Sequence, residues 1–321
     1  MTKRCTNLNC FVHDGEGCYL GEPDLAQCNS WCATIPDDDS EELSLPTTTV
    51  RVPWSGSALG LADMANLSPR SRTILIGVLG AHDAGKTTLL TGNYLQLLQG
   101  QPLANARFAG SRTLGAWEAL AAWTRFDDAA RPASFPPHTP RGTSRVPGLL
   151  HLALRNTRGE FRDVLLADAP GEWFTRWAIK EDAPEAEGAR WIVRNADAFL
   201  VFADCFRLAT ANRERGTARK ELRELLERLS NHVGNRPTTL VWAKDDIEPN
   251  TEIRSSIQQT LARQISHAIE VSSSTNQPVT LTKAMEAVLC PAWSPLPATC
   301  LVEPVLYQQP FSAFRGSHAY P

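Results

Sequence analysis

Residues 80–87 have the types and spacing of a loop that binds phosphate. They read Gly-Ala-His-Asp-Ala-Gly-Lys-Thr, in which four residues separate a glycine from Gly-Lys-Thr. An apolar β-type run at 73–79 precedes the loop, and a helical pattern of apolar residues follows it. Backbone N–H groups and the positive end of that helix would then face an anion. The residues that we expect to contact phosphate are Gly80, His82, Asp83, Ala84, Gly85, Lys86, Thr87 and Thr88.

Asp168 ends a second apolar run and precedes the sequence Ala-Pro-Gly171-Glu172. An acidic residue at the carboxyl end of a buried strand lies at the edge of the sheet where ligands bind. We expect Asp168 to hold magnesium, directly or through water, with the hydroxyl group of Thr87 as a second ligand. Gly171 would let the backbone approach a γ-phosphate closely. The alternative is a plain strand-end aspartate followed by a Pro-Gly turn.

The segment 240–246 reads Leu-Val-Trp-Ala-Lys-Asp-Asp and looks like the Asn-Lys-x-Asp guanine-reading motif of GTPases, with Ala243 in place of the asparagine. Asp246 would accept hydrogen bonds from the N1–H and 2-amino groups of guanine, donors that adenine lacks. Lys244 would lay its aliphatic stem over the base. The alternative is a strand followed by solvated charges. The segment 268–275 resembles the serine-containing base-contact loop of small GTPases, which makes Ser272 and Ser273 nucleotide contacts.

Strand and helix patterns alternate from residue 70 onward, which favours an α/β fold with a mostly parallel sheet and helices on both faces. Strands are predicted at 73–79, 150–155, 161–167, 198–203, 239–243 and 267–271, the second and third forming a hairpin. Helices are predicted at 86–99, 217–230, around 253–261 and at 281–289, the last stopped by Pro291. The stretch 100–147, rich in Pro, Arg and Gly, is predicted to be irregular. The predicted organisation is a cysteine-rich module at 1–33, a linker at 34–69, the α/β domain at 70–290 and a proline-rich tail at 291–321.

The phosphate loop, Asp-x-x-Gly, Lys-x-Asp and serine loop occur in the order found in P-loop GTPases. Residues 73–289 resemble a Ras-like GTPase of the translation-factor-related class. The segments 108–114 (Phe-Ala-Gly-Ser-Arg-Thr-Leu) and 138–144 (His-Thr-Pro-Arg-Gly-Thr-Ser), with the cysteine-rich module, are similar to a bacterial double-GTPase family associated with multi-protein systems of biological conflict. The resemblance implies GTP or GDP as ligand, magnesium as cofactor and protein partners or an activator. It leaves open whether two nucleotide-bound domains pair.

Two residues depart from the pattern of small GTPases. Glu172 stands where these usually have a glutamine that orients the attacking water. A carboxylate repels a γ-phosphate unless it is protonated or bridged by a metal, so Glu172 either acts as a general base or slows turnover, and we expect slow intrinsic turnover. Asp83 stands where some GTPases have an asparagine that binds potassium, so potassium-stimulated hydrolysis is a hypothesis. The catalytic residues implied by the resemblance are Lys86, Thr143, Gly171 and Glu172.

The threonine that senses the γ-phosphate should lie within 100–147. Thr143 is our assignment, both as a catalytic residue and as a magnesium ligand beside Thr87 and Asp168, and Thr139 is the alternative. The neighbouring Arg141 and Arg145 are either a built-in arginine finger or solvated loop residues.

Five of the eight cysteines fall within the first 32 residues. In a cytosolic chain such a cluster favours a metal site over disulfides, and so short a segment needs a staple to fold. We predict a structural zinc ion, with free thiols or disulfides as alternatives and with His13 or Cys32 as substitute ligands. The predicted zinc ligands are Cys5, Cys10, Cys18 and Cys28. The remaining cysteines, Cys205, Cys290 and Cys300, are scattered and are expected to be interior thiols.

The net charge of −3 and the pI of about 6.2 give no sign of wholesale binding to nucleic acid or to anionic membranes. The first residues lack the apolar core of a signal peptide, and the longest apolar runs are strand-sized. We therefore expect a cytoplasmic protein without a membrane span. The expected function is a switch that hydrolyses GTP to GDP and phosphate. The alternatives are a nucleotide-binding scaffold with little or no hydrolysis and an ATPase of relaxed specificity, which Ala243 would permit.

Overall fold

The computed structural model describes residues 24–28, 31, 58–60, 63, 73–125, 134–135, 147–210 and 213–293. The chain divides into two compact units, Met1–Val50 and Arg51–Pro321. In the first unit, Leu25–Gln27 form one turn of 3-10 helix. The N–H group of Cys28 donates a hydrogen bond to the carbonyl of Leu25 at 3.3 Å, so the turn presents a buried cysteine at its end.

Seven strands of the second unit, counted over the described residues, form one sheet. Their order is β2-β3-β4-β1-β5-β6-β7. The pairs β2–β3 and β3–β4 are antiparallel, and β4–β1, β1–β5, β5–β6 and β6–β7 are parallel. The carboxyl ends of β1, β4, β5, β6 and β7 therefore meet at one edge. The strands are β1 Thr73–Leu79, β2 Ala106–Gly110, β3 Gly148–Asn156, β4 Phe161–Asp168, β5 Ala198–Asp204, β6 Thr238–Ala243 and β7 Ile269–Ser273.

Helices cover both faces of the sheet. On one face α1, α2 and α8 bury a core that includes Leu90, Trp117 and Met285. On the other, α3 to α7 bury a core that includes Trp177 and Leu226. The apolar stripes read from the sequence face these cores. The helices are α1 Lys86–Leu98, α2 Leu114–Thr124, α3 Gly171–Ile179, α4 Glu187–Asn195, α5 Cys205–Ala209, α6 Arg213–Val233, α7 Thr251–Gln264 and α8 Pro278–Ala292.

The predicted α/β fold with a mostly parallel sheet is confirmed, including the hairpin of β3 and β4. The zinc-binding module stays a prediction, because Cys5, Cys10 and Cys18 lie outside the described residues. The proposed linker and the proline-rich tail lie mostly or wholly outside them as well.

Two expectations about elements were wrong. The stretch 100–147 is not irregular throughout, since it contains β2 and α2. β2 is a five-residue edge strand with partly exposed side chains, so it lacks the apolar run by which a buried strand is recognised. Pro291 lies inside the last turn of α8 and does not stop it, because the helix ends only at Ala292.

Residues 111–113, which follow β2, are hydrogen-bonded to one buried histidine, His151 of β3. Ser111 Oγ donates to the His151 carbonyl at 2.6 Å, and the His151 N–H group donates to Thr113 Oγ1 at 2.9 Å. Arg112 N–H donates to His151 Nδ1 at 3.0 Å, so a neutral ring carries its proton on Nε2, 3.1 Å from Asp163 Oδ1. Residues 108–114, on which the narrower family resemblance rests, thus hold the edge of the sheet together.

Candidate nucleotide site

The phosphate loop joins β1 to α1 and has an unusual backbone. Asp83 has φ 58° and Gly85 has φ 84°, both in the left-handed region. Aspartate tolerates this region better than most residues that have a side chain, and glycine enters it freely. Left-handed residues between right-handed ones form a concave nest of N–H groups that binds anions. His82 and Asp83 are exposed at the surface of the loop, whereas Ala84 is buried beneath it.

Lys86, the first residue of α1, is held inside the phosphate loop. Its Nζ donates to the carbonyl of Gly80 at 3.1 Å and to that of Ala81 at 2.7 Å. Burial lowers the pKa of Lys86, and the nearby carboxylates of Asp168 and Glu172 act in the opposite direction. A buried ammonium group beside open N–H groups is a ready partner for phosphate oxygens.

Thr87 and Asp168 are brought together from the ends of α1 and β4. Thr87 Oγ1 donates to Asp168 Oδ2 at 2.7 Å, and Asp168 is 1% exposed. A hydroxyl group and a carboxylate side by side are oxygen ligands of the kind that magnesium prefers. Thr88, the next residue of α1, is half-buried.

Gly171, the first residue of α3, packs directly on the phosphate loop. A Cβ atom at this position would overlap the backbone nitrogen of His82 and the carbonyl carbon of Ala81. Both are backbone atoms, so they cannot turn aside as the end of a side chain can. The close approach that the sequence assigned to Gly171 therefore involves the loop itself.

Glu172 lies at the same surface. Its Oε1 is 3.4 Å from Nδ1 of His82, and both side chains are partly exposed. The imidazole, when protonated, offsets the charge of the carboxylate. The carboxylate of Glu172 therefore lies beside an ionisable side chain of the phosphate loop.

Lys244 joins the end of β6 to the phosphate loop. Its Nζ donates to the carbonyl of Asp83 at 2.7 Å and to Oδ2 of Asp204 at 3.0 Å. The backbone of Lys244 is left-handed, with φ 60°. Sequence reasoning did not identify Asp204, the last residue of β5, as part of the site.

Asp246 accepts a hydrogen bond from Ser274, the residue that follows the two serines predicted to contact the nucleotide. Ser274 Oγ donates to Asp246 Oδ1 at 2.8 Å. Ser272 lies within β7, where its Oγ accepts from Arg254 at 3.1 Å, and Ser273 is a buried residue at the end of that strand. The loop that follows β7 thus begins at Ser274. Three consecutive serines carry no signal that would fix this register before the end of β7 is known.

Several predicted site residues lie outside the described residues: Thr143, Thr139, Arg141, Arg145 and the cysteines Cys5, Cys10, Cys18 and Cys32. Cys28 is described and is buried with a free thiol. Among the described residues, no three histidine, cysteine or acidic side chains cluster as metal ligands.

The cysteines of the second unit differ in exposure. Cys205 is buried, as expected, and its Sγ lies 3.7 Å from Oδ1 of Asp245. Burial, followed by the charge of Asp245, raises the pKa of Cys205 to about 12. Cys290 was expected to be an interior thiol, and this was wrong, because Cys290 is exposed on α8.

The geometry of the loop, of Thr87 with Asp168 and of Lys244 agrees with a comparison against known families. Residues 74–294, more than half of the chain, match the family model Double-GTPase 2. The chain belongs to the double-GTPase family. Membership implies a GTP-binding protein of the GTPase kind. No curated protein matches this double-GTPase, and no described helix is long and apolar enough to cross a membrane.

Proposed function

We propose that this double-GTPase binds GTP at the carboxyl edge of its sheet and hydrolyses it to GDP and phosphate with slow intrinsic turnover. The observation that carries the proposal is the 2.7 Å hydrogen bond from Lys244 to the carbonyl of Asp83. It links the loop that would read the base to the loop that would hold the phosphates, across more than 150 residues of sequence. One nucleotide can span two such neighbouring loops.

The donor set supports magnesium as the cofactor. Thr87 Oγ1 and Asp168 Oδ2 lie 2.7 Å apart, and both are hard oxygen ligands. Thr87 and Asp168 would hold magnesium, and the ion would supply positive charge that offsets the charge of the phosphates. Lys86 would contact the phosphates, and Thr143 is our proposed third protein ligand and γ-phosphate sensor.

The switch role rests on the position of Gly171. Its backbone packs against Ala81 and His82 of the phosphate loop. A ligand that displaces the loop would therefore displace the start of α3. We propose that GTP orders the segments 100–147 and 171–190 and that hydrolysis releases them. Glu172, which is paired with His82, would either act as a general base or slow the reaction.

The base is read, in this proposal, by Asp246. Ser274 donates to one of its carboxylate oxygens and so orients the group. Lys244 would lie over the ring, and the serine loop, Ser274 together with Ser272 and Ser273, would close the base pocket. Guanine offers two donors to a carboxylate, whereas adenine offers none at that edge.

The biological setting is proposed from the resemblance alone. We place this double-GTPase in the cytoplasm, as a switch within a multi-protein bacterial system of biological conflict. Protein partners or an activator, and pairing of two nucleotide-bound domains, belong to the same proposal. Recognition of nucleic acid or of a membrane does not.

Two other functions compete. A nucleotide-binding scaffold would bind GTP without turning it over, and the pairing of Glu172 with His82 favours it, because a paired carboxylate is less available as a general base. An ATPase of relaxed specificity is favoured by Ala243, because this residue adds no polar group to the base pocket.

The deciding experiment is equilibrium binding of fluorescent GTP with magnesium, competed by GTP, GDP and ATP, on the wild type and on Asp246→Asn. Competition by GTP and GDP alone, lost in the variant, supports a guanine-specific site. Equal competition by ATP contradicts it and favours the ATPase. Multiple-turnover phosphate release then separates an enzyme from a scaffold.

Potassium stimulation is a further part of the proposal that the geometry makes specific. Asp83 would hold the ion, but the ammonium group of Lys244 already lies 3.8 Å from its carboxylate. Potassium would have to share the carboxylate with this cation. Equal hydrolysis rates in sodium and potassium buffers would rule the ion out.

A further inference from the structure

β6, the strand that leads into Lys244, ends in a residue without a polar side chain. Ala243, the last residue of β6, has only a methyl group, and that methyl group faces Gly85 of the phosphate loop. In the register of the sheet, Ala243 is the direct partner of Asp204 on β5. The carboxylate of Asp204 on β5 therefore lies beside a position of β6 that has no hydrogen-bonding side chain.

That carboxylate contacts Lys244. The distance from Lys244 Nζ to Asp204 Oδ2 is 3.0 Å, and the other oxygen, Oδ1, accepts the N–H group of Arg207 at 3.3 Å. Asp204 is 6% exposed, and a buried carboxylate is costly unless it is paired and hydrogen-bonded. Both of its oxygens thus have defined partners, and one partner is the lysine ammonium group.

No other described cation replaces Lys244 in this contact. The guanidinium group of Arg207 is engaged by Glu221 at 2.9 Å and by Glu214 at 3.7 Å. Lys244 itself has a left-handed backbone at φ 60°, a conformation that a lysine adopts only when its surroundings hold it. Its ammonium group donates to the carbonyl of Asp83 and to the carboxylate of Asp204, and the carboxylate of Asp83 lies further away at 3.8 Å.

We infer that Asp204 is a positioning residue for guanine nucleotides, which acts by fixing Lys244 between the phosphate loop and the base. The inference rests on the proposed function and deepens it, because it names a residue that sets nucleotide affinity from outside the motifs. With Asp204 in place, Lys244 is ordered before the nucleotide arrives, so less ordering is required on binding.

The test is a double-mutant cycle on the release of fluorescent GDP, with Asp204→Ser, Lys244→Met and the double variant in the full chain. Serine keeps an oxygen that can accept the Arg207 N–H group but does not reach Lys244. We expect Asp204→Ser to release GDP about tenfold faster, as for the loss of one charge-assisted hydrogen bond. In the Lys244→Met background the same change should have little effect, since the contact is already gone.

Asp197→Ser is the matched control. Asp197 lies just before the opposite end of β5, where its Oδ2 accepts the N–H group of Leu75 at 2.8 Å. The change removes a carboxylate next to the opposite end of β5, away from the site, so GDP release should stay at the wild-type rate. Asp204→Asn keeps an oxygen that can accept from Lys244 but removes the charge, so it should accelerate GDP release less than Asp204→Ser does. If the serine variant does not fold, the same cycle is run with Asp204→Asn, and additive effects again overturn the inference.

The outcomes separate this inference from the proposed function. Additive effects of Asp204→Ser and Lys244→Met overturn the inference while the guanine site stands. GDP release that is accelerated equally in Asp204→Ser and in the Asp197→Ser control also overturns the inference, because the effect is then one of general stability. Wild-type protein that binds no guanine nucleotide overturns the proposed function and the inference with it.

Discussion

At the scale of single residues, the site depends on how near two backbone segments can come. Gly171 begins α3 against the carbonyl of Ala81 and the N–H group of His82, with no space for a methyl group. Lys86, which follows the loop in the chain, occupies its interior and donates to the carbonyls of Gly80 and Ala81. The loop is therefore confined from both sides, and its shape is sensitive to atoms added at its outer wall.

Gly171→Ala should displace the phosphate loop, because the overlapping atoms belong to the backbone. We expect at least tenfold weaker GDP binding and a loss of about 1–3 kcal/mol in the free energy of unfolding, as for overpacking of a core. Nucleotide titration and urea denaturation measure the two effects. Gly216→Ala is the control, since nothing lies within 4 Å of a Cβ atom at that position of α6. It should stabilise the helix by about 0.5–1 kcal/mol. Unchanged GDP binding in Gly171→Ala would contradict the close packing.

Glu172→Gln tests the charge beside the γ-phosphate. The carboxylate is 3.4 Å from the imidazole of His82, and removing its charge removes repulsion from GTP but not from GDP. Since two unit charges 4 Å apart interact by about 1 kcal/mol in water, the ratio of GTP to GDP affinity should rise about fivefold. Competition titrations measure the ratio. Glu187→Gln, which changes an exposed glutamate in the first turn of α4, should leave it unchanged. If both variants behave alike, Glu172 does not face the γ-phosphate.

At the scale of elements, the edge of the sheet depends on one histidine. His151 is 1% exposed and joins β4 to the residues that follow β2, through Asp163 on one side and the N–H group of Arg112 on the other. The hydroxyl groups of Ser111 and Thr113 take the place of backbone groups in continuing the ladder along β3. The edge strand thus extends beyond its last residue by means of side chains.

His151→Ala should cost about 3 kcal/mol in the free energy of unfolding, because it empties a buried position and takes a hydrogen-bond partner from the buried carboxylate of Asp163. Urea denaturation measures the loss. His267→Ala is the control, since His267 is exposed and its ring makes a hydrogen bond with the carbonyl of Arg236 at the surface. That change should stay within about 0.5 kcal/mol of the wild type. A similar small loss for His151→Ala would mean that the edge is held by backbone bonds alone.

Strands with long apolar runs, such as β1 and β5, could be predicted from the sequence because burial on both faces requires such runs. β2 could not, since its five residues alternate between buried and exposed at an edge. Ser274 could be placed only once the end of β7 was known. Asp204 could not be found by any motif, because its partner Lys244 is 40 residues away and the contact depends on the register of two strands.

At the scale of the whole molecule, Met1–Val50 form a compact unit of their own, and zinc binding by this unit can be tested directly. We predict about one zinc ion per chain in purified, dialysed protein, measured by metal analysis. Cys10→Ser should lower the zinc content, because the thiolate is a predicted ligand. Cys290→Ser, which changes an exposed cysteine of α8, should not. Protein that contains no zinc and whose N-terminal thiols all react with a thiol reagent would contradict the zinc site.

The register of the parallel strands has a consequence for how such a site can change in evolution. Asp204, Ala243 and Ser273 occupy one row across the sheet, on three neighbouring strands. A polar group lost from one strand of the row can be supplied by the next without moving the backbone. The polar group can therefore be retained in the row while the sequence motif of a single strand is lost. A motif read along the chain will then miss proteins that still place the group at this position.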